Sequence, residues 1–240
     1  MIWLLPLLML AAGSLAAEER FRMGVGFADP TTRYAHGVLG DAIEFGTLFA
    51  ELEGERISIE LPFDRVFEDL QPRLANVAGD AAPEIIVVET DIRLGAQLAV
   101  YRASFSVFGH SRLTKIAATP HIGRTHRWLA PVGIADFDGD GQNDIAYVET
   151  PHLGRILRIV TLREGELVEI ASTTGLTNHR IGDDYISGGV RNCGDGPELV
   201  LLNNDWSRVM GVALEAGNLQ VKDLAANSPK ALANTLACIE

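Results

Sequence analysis

Residues 139–148 read Gly-Asp-Gly-Gln-Asn-Asp-Ile-Ala-Tyr-Val, a tight acidic turn followed by strand-forming residues. Three more stretches begin with a Gly-Asp turn, carry an acidic residue three or four positions later and continue into an apolar run; they start at Gly40, Gly79 and Gly194. Further short strand-like runs follow each turn, which predicts about four strands per unit. A four-stranded antiparallel unit that recurs every ~40 to 60 residues is typical of a β-propeller blade.

The length of the chain limits the number of such units. If residues 18–240 form a single domain, they hold four or five units at about 40 to 60 residues each. We therefore predict an all-β fold, a small β-propeller of four or five four-stranded blades that stack around an axis. Alternating apolar residues at 20–27 predict an edge strand that completes the last blade. Ser228 as N-cap and Pro229 as the first helical residue predict a short C-terminal helix.

The charge balance excludes some partners. The chain carries 32 Asp and Glu against 20 Lys and Arg, a formal net charge of −12. Nucleic acids and anionic lipid surfaces attract clustered cations, so we expect neither as a partner. Hydrophobic residues make up 47% and charged residues 22% of the chain, as in folded globular proteins.

The N-terminus predicts export. Residues 1–17 carry no charged side chain, and their apolar run is shorter than the roughly 20 residues that cross a bilayer. With small residues Ser14 and Ala16 near a cleavage position, they predict a signal peptide and a periplasmic or secreted protein, with no membrane insertion after cleavage. A buried or membrane-anchoring N-terminal helix is the alternative. In an oxidising compartment we expect Cys193 and Cys238 to pair, with two free buried thiols as the alternative.

The acidic loop of the third unit has the composition of a cation site. Residues 136–144 place carboxylates at relative positions 1, 3, 5 and 9 and a main-chain carbonyl at position 7, which suits a hard cation with six to eight oxygen ligands. Gly139 and Gly141 allow the tight backbone curvature that this needs. An EF-hand requires a Glu at position 12, where this chain has Tyr147, so an EF-hand is excluded. A metal-free surface turn is the alternative.

This loop resembles the FG-GAP/VCBS repeat of integrin-α-type β-propellers, whose Asp-x-Asp-Gly-Asp-Gly-x-x-Asp loop joins the first two strands of a blade and holds Ca²⁺. The resemblance covers all four units loosely, but only the third carries the full motif. It implies one calcium site, in which the side chains of four aspartates and the carbonyl of one glutamine would be ligands: Asp136, Asp138, Asp140, Asp144 and Gln142.

The second and fourth units depart from this pattern. The second keeps Asn76, Asp80 and Glu84 at positions 1, 5 and 9, so we expect at most a weak second cation site there. The fourth has Arg191 and Cys193 at positions 1 and 3. We expect the Arg191 guanidinium to stand in for the cation between the two remaining acids, Asp195 and Glu198.

An arginine precedes each turn, and in the last two units a histidine directly precedes that arginine. Around a propeller axis such positions would form a ring that could hold a carboxylate or a phosphate. The candidate ring consists of Arg33, Arg65, Arg127, Arg180, His126 and His179. The alternative is that each arginine pairs with a local acid, such as Asp64, Asp183 or Asp184.

Together these features predict a calcium-stabilised, non-catalytic module that binds a protein or glycan, with its ligand at the rim loops 124–128 and 178–184. One alternative is a polysaccharide-active hydrolase or lyase that uses the same rim. Such an enzyme requires acid and base groups that converge in a pocket and have perturbed pKa values. A purely structural assembly subunit, marked by a large exposed apolar patch, is a further alternative.

Overall fold

The structure is a computed structural model that describes residues 23–80, 82–106 and 108–239. The predicted signal peptide, residues 1–17, lies outside the described residues. The described residues form seventeen β-strands and one short α-helix. None of their helices is both long and apolar enough to cross a membrane.

The strands follow one another along the whole chain, and the helix comes last. In chain order the elements are β1 Gly24–Thr31, β2 Glu44–Leu52, β3 Glu55–Glu60, β4 Arg65–Phe67, β5 Arg73–Ala75, β6 Glu84–Asp91, β7 Gly95–Ser104, β8 Arg112–Ala118, β9 Leu129–Ala135, β10 Asp144–Glu149, β11 Ile156–Arg163, β12 Glu166–Thr174, β13 Leu176–Thr177, β14 Gly189–Asn192, β15 Pro197–Asn203, β16 Arg208–Glu215, β17 Asn218–Ala226 and α1 Pro229–Leu236.

These strands build antiparallel sheets. The first sheet contains β1 to β8 in the order β1-β2-β4-β6-β7-β8, with β3 paired to β2 and β5 paired to β6. The second is the four-stranded sheet β12-β11-β10-β9, and the third runs β13-β15-β16-β17 with β14 also paired to β15. The predicted β-rich class with a short C-terminal helix is therefore confirmed. The first two units share one sheet because β4 pairs with both β2 and β6, with Phe45 opposite Phe67 and Arg65 opposite Asp91.

The N-terminal strand differs from its prediction. β1 pairs antiparallel with β2, with Gly24 opposite Glu51 and Thr31 opposite Glu44. The prediction that residues 20–27 complete the last blade is therefore wrong for the described part of that segment. A short connection to β2 closes a small loop at low entropic cost. Val25 and Phe27 also pack into the same apolar cluster as the neighbouring strands of the first sheet.

Three hairpins use the same two-residue turn. Glu53-Gly54, Glu164-Gly165 and Ala216-Gly217 join β2 to β3, β11 to β12 and β16 to β17, and both residues of each pair have positive φ. Positive φ at both positions is the requirement of a type I′ turn, whose twist matches that of the flanking strands. Glycine at the second position meets this requirement without steric cost.

The sheets pack face to face, so their inner strands are buried on both sides. In β6, Ile85 and Val87 belong to the cluster shared with β2 and β4, whereas Ile86 and Val88 belong to the cluster shared with β9 and β10. β15 repeats this arrangement. Its Leu199 and Leu201 pack toward β10 and β11, while its opposite face packs against α1.

The helix covers the last sheet. Ser228 caps α1 by accepting a hydrogen bond from the N–H of Ala231 at 3.0 Å, and Leu232 and Leu236 pack against Val200 and Leu202. A disulfide between Cys193 and Cys238 joins the loop after β14 to the residues that follow α1. The predicted helix and the predicted cysteine pair are both confirmed.

We predict that this disulfide contributes strongly to stability. It closes a separation of 45 residues, which in the chain-entropy description corresponds to about 4 kcal/mol. The double variant Cys193→Ser/Cys238→Ser should lose about that much unfolding free energy in urea titrations, and a reductant should leave the double variant unchanged. Equal stability of the oxidised protein and the double variant would contradict this prediction.

Candidate metal centre and histidine cleft

The acidic loop of residues 136–144 connects β9 to β10 and brings three carboxylates together. One carboxylate oxygen from each of Asp136, Asp138 and Asp144 lies within 4.8 Å of the other two. Asp136 shapes the loop, because its Oδ1 and Oδ2 accept hydrogen bonds from the N–H groups of Gly139 and Gly141 at 2.8 and 2.9 Å. Both glycines have positive φ, as the sequence predicted for the tight turn.

Asp144 is the buried member of this group. Its side chain is fully buried, and its Oδ2 accepts a hydrogen bond from the N–H of Phe137 at 3.0 Å. Its Oδ1 is also buried and has no hydrogen-bond partner among the described residues. Burial, together with the nearby charges of Asp138 and Asp140, raises the pKa of Asp144 to about 6, while the N–H of Phe137 and the hydroxyl of Thr161 oppose this rise. A buried carboxylate oxygen without a partner is costly unless a ligand supplies the missing interaction.

The other two predicted ligands have additional contacts. Asp140 accepts the N–H of Gln142 at 2.8 Å, and its Oδ2 lies 3.7 Å from the guanidinium of Arg163. The side-chain amide of Gln142 donates to the carbonyls of Val77 and Leu162 at 2.9 and 2.7 Å. Gln142 thus ties the loop to neighbouring strands through its side chain, so its predicted role as a ligand depends on its main-chain carbonyl.

A guanidinium replaces the cation in the second unit. Glu84 is fully buried and accepts two main-chain N–H groups with its Oε2. Arg102 places its Nη2 2.5 Å from the Oε1 of Glu84 and 2.9 Å from a carboxylate oxygen of Asp80. The weak second cation site predicted at Asn76, Asp80 and Glu84 is therefore corrected: Arg102 already neutralises both acids.

The fourth unit also uses an arginine. The Nε of Arg191 donates to Glu198 at 2.6 Å, and its Nη1 donates to the carbonyl of Thr235 in α1 at 3.0 Å. Arg191 therefore stands beside Glu198 as the sequence predicted. Asp195, the second predicted partner, forms no ion pair with it within 4.0 Å.

The three loops differ in how their acids are neutralised. Arg102 lies in hydrogen-bond contact with Glu84 at position 9 of the second loop, and Arg191 with Glu198 at position 8 of the fourth. The guanidinium of Arg163 lies 3.7–3.8 Å from exposed acids of the third loop and does not pair with Asp144. The third unit therefore keeps three converging carboxylates, and among the described residues no positive charge is in hydrogen-bond contact with them; the guanidinium of Arg163 lies 3.8 Å from Asp138. This is the arrangement that a divalent cation would complete.

A second candidate site lies at the other end of β9. We call it the histidine cleft; it has a volume of about 260 Å³ and is bordered by His36, His126, Arg127, Trp128, Thr150, His152, Leu153 and Ile181. Trp128 immediately precedes β9 and Asp136 immediately follows it, so the two sites are roughly 20 Å apart along the strand. The cleft draws on both predicted rim loops, residues 124–128 and 178–184.

His36 is held by a buried acid. Its Nδ1 lies 2.5 Å from the Oε1 of Glu68, and the hydroxyl of Thr90 donates to the Oε2 of Glu68 at 2.7 Å. Burial raises the pKa of Glu68, while the hydrogen bonds from His36 and Thr90 oppose that rise. The ring of His36 stacks on that of His126, with 5.0 Å between centroids and 18° between planes. His36 is thus fixed in orientation at the edge of the cleft.

Two further histidines form a relay. His179 is buried, and its Nε2 lies 3.0 Å from the main-chain carbonyl of Asp183, which can only accept a hydrogen bond. Burial lowers the pKa of His179, so its ring is neutral, with the proton on Nε2 and a bare Nδ1. His152 Nε2 lies 2.9 Å from this Nδ1 and must be the donor. Burial and the neighbouring His179 lower the pKa of His152 to about 4.

The predicted ring residues are divided between the cleft and other contacts. Arg127 and His126 border the cleft, and His179 lies behind His152. The other three have partners of their own: Arg33 donates to the carbonyl of Arg65 at 3.0 Å, Arg65 pairs with Glu89 at 2.6 Å, and Arg180 stacks over Trp206 at 4.2 Å.

Sequence reasoning missed His36 and His152, which border the cleft, and Glu68, which holds His36 in place. The sequence offered a weak signal for His36 alone, which lies three positions after one of the predicted ring arginines. Glu68 and His152 follow no motif, because they meet through sheet packing.

Comparison with known proteins assigns no family: no protein-family model matches the chain, and no curated protein is significantly similar to it. The description of both sites therefore rests on the residues of the chain itself.

We predict that Arg102 stabilises the second loop. Arg102→Met should lower the free energy of unfolding by about 2 kcal/mol, because the buried Glu84 loses its counter-charge; the partial exposure of Arg102 limits the loss. Arg163→Met is the matched control, since Arg163 is half exposed and lies 3.7–3.8 Å from exposed acids. Urea titrations of both variants test this, and equal losses in the two would contradict it.

Proposed function

We propose that this chain is a calcium-stabilised β-propeller of the FG-GAP/VCBS type that acts outside the cytoplasm as a non-catalytic binding module. The observation that carries the calcium assignment is the buried Oδ1 of Asp144, which lacks a partner and belongs to a group of three converging carboxylates. Carboxylate and carbonyl oxygens are the ligands that Ca²⁺ prefers.

The comparison of loops within the chain supports this assignment. Where an arginine lies beside the acid at position 8 or 9, the loop has lost acids at positions 1 and 3: Asn76 and Ala78 stand there in the second unit, and Arg191 and Cys193 in the fourth. Only the third loop keeps acids at positions 1, 3, 5 and 9. In each loop positive charge therefore compensates the buried acid, and in the third a bound cation would have that role.

Contacts among the sheets support a radial arrangement. The second sheet is a four-stranded meander whose acidic loop joins its first two strands, as in the family that the sequence resembles. Trp128 Nε1 donates to the carbonyl of Glu68 at 2.8 Å, which links the second sheet to the first. The N–H of Gly182 donates to the carbonyl of Val38 at 3.0 Å, which links a loop of the last unit to a loop of the first.

Two features support a location outside the cytoplasm. The disulfide between Cys193 and Cys238 is of the kind that persists in oxidising compartments. Residues 1–17 have the composition of a signal peptide.

The binding role rests on the histidine cleft, where fixed polar groups from several units border one cavity. The pair of partly exposed His36 and buried Glu68, which lies beside His152, also favours a second candidate, a lyase with a histidine base. Hydrolysis by paired carboxylates is less favoured, because no described residue that borders the cleft is an acid. We prefer the binding role, since the burial of His152 lowers its pKa to about 4 and makes it a weak base at neutral pH.

We predict that calcium stabilises the protein through Asp144. At a calcium concentration of about ten times the Kd, mass action adds about 1.4 kcal/mol, which raises Tm by about 3–5 °C relative to protein in EDTA. Asp144→Asn should abolish this response, because it removes one ligand charge while an oxygen remains to accept the N–H of Phe137. Melting curves of the wild-type protein and the variant in calcium, in magnesium and in EDTA measure this rise in Tm.

Asp80→Asn is the matched control, because Asp80 occupies the equivalent loop that Arg102 neutralises. This variant should keep the full calcium response. A wild-type protein whose Tm is the same in calcium and in EDTA would refute the proposed site, and so would a full response in Asp144→Asn.

A further inference from the structure

The histidine cleft presents an unused hydrogen-bond acceptor. Because His152 Nε2 donates to His179, the neutral ring of His152 carries a bare lone pair on Nδ1. The side-chain hydrogen bond of His152 to His179 uses Nε2 and leaves Nδ1 as the second ring nitrogen of a residue that borders the cleft. The position of the ring is fixed from behind by the relay through His179 to the carbonyl of Asp183. The acceptor is therefore preorganised for a donor on a ligand.

The cleft also presents positive charge in an otherwise acidic protein. Arg127 borders the cleft; its Nη1 donates to the carbonyl of His126 at 2.8 Å, and it forms no ion pair with a carboxylate of the described residues. Arg155 lies near His152, and its Nε is buried without a partner among the described residues. Against a net charge of −12, the guanidinium of Arg127 at the border of the cleft, with no carboxylate paired to it, favours an anion there, and Arg155 adds positive charge near His152.

The acids near the cleft do not cancel this charge. Glu68 is fully buried and shared between His36 and Thr90. Glu44 is buried as well, and burial together with the nearby Glu68 raises its pKa to about 9, so it is neutral at pH 7. Arg127 therefore has no strong competitor for a ligand carboxylate at the edge of the cleft.

The volume of the cleft and the apolar side chains at its border indicate the size and surface of the ligand. A volume of about 260 Å³ lies just below the range of about 300–1,000 Å³ for drug-sized ligands. Leu153 and Ile181 are largely exposed where they border the cleft, so an apolar group on the ligand would remove them from water. The occupant that fits is a small molecule, too small to be a folded partner.

We propose that the histidine cleft binds a small hydroxycarboxylate that carries an apolar group, with Arg127 holding the carboxylate, His152 Nδ1 accepting the hydroxyl proton, and Leu153 and Ile181 covering the apolar group. The proposal rests on the binding role proposed above and assigns the chemical class of the ligand. Arg127 belongs to the ring of arginines and histidines that the sequence predicted to hold a carboxylate or a phosphate. His152 does not belong to that predicted ring.

Three probes separate the contributions of the ligand's carboxylate and hydroxyl groups to binding. Mandelate carries the carboxylate, the hydroxyl and an apolar ring, phenylacetate lacks the hydroxyl, and benzyl alcohol lacks the carboxylate. Titrations monitored by protein NMR should show that mandelate binds about tenfold more tightly than benzyl alcohol and about fivefold more tightly than phenylacetate. Equal affinities for the three probes, or no binding of mandelate at millimolar concentration, would overturn the proposal.

Two variants assign the contacts. Arg127→Gln should bind mandelate and benzyl alcohol with equal affinity. His152→Phe should bind mandelate and phenylacetate with equal affinity. Arg124→Gln is the matched control, because Arg124 belongs to the same loop, is exposed and does not border the cleft. If either cleft variant kept the wild-type preference, its assigned contact would be wrong.

Two further measurements show which part of the proposals is wrong if binding differs from the expected result. Galacturonate is a hydroxycarboxylate from glycans without an apolar group, and tighter binding of galacturonate than of mandelate would overturn the apolar part of the assignment. The calcium response of Tm is measured on the same samples. An intact calcium response without mandelate binding refutes the cleft proposal alone, whereas mandelate binding without a calcium response refutes the calcium site alone.

Discussion

The compensation of an acid at the base of each acidic turn is the constraint on which the sheet arrangement depends. Glu84 and Asp144 begin inner strands, and Glu198 is the second residue of β15, so each is carried towards the core with its strand. Arg102 compensates Glu84, and Arg191 compensates the partly buried Glu198 while also anchoring α1 through Thr235. A buried carboxylate without such a partner would favour the unfolded state. Glu44 of the first turn has no arginine, but burial raises its pKa to about 9, so it is neutral at pH 7. Asp144 has a pKa of about 6 and no arginine beside it, which makes the third turn the one that a bound cation would stabilise.

Local features of the sequence predicted the local features of the structure. The Ser228-Pro229 start of α1, the pairing of Cys193 with Cys238 and the turn glycines of the third loop are each determined by residues close in sequence or by the cysteine count. The acidic loop was also recognisable, because its acids lie within nine consecutive residues and their convergence needs only one turn.

Features that depend on packing between sheets were not predictable. β1 has the alternation of any edge strand, and this pattern does not reveal that its partner is β2. The replacement of a second cation by Arg102 could not be read from spacing, since Arg102 lies on the next strand. His36, Glu68 and His152 belong to different segments, so their meeting in one cleft follows from the way the sheets stack. Sequence periodicity determines which face a residue occupies, but not which distant face it meets.

The position of α1 protects an apolar face of the last sheet. An exposed apolar face recruits other copies of a protein unless something covers it. Here α1 covers Val200 and Leu202, and the disulfide at Cys238 fastens it there. The cover of this face is therefore coupled to oxidation: in a reducing environment α1 is held by packing alone, and the tendency of the protein to self-associate would rise with the loss of that covalent attachment.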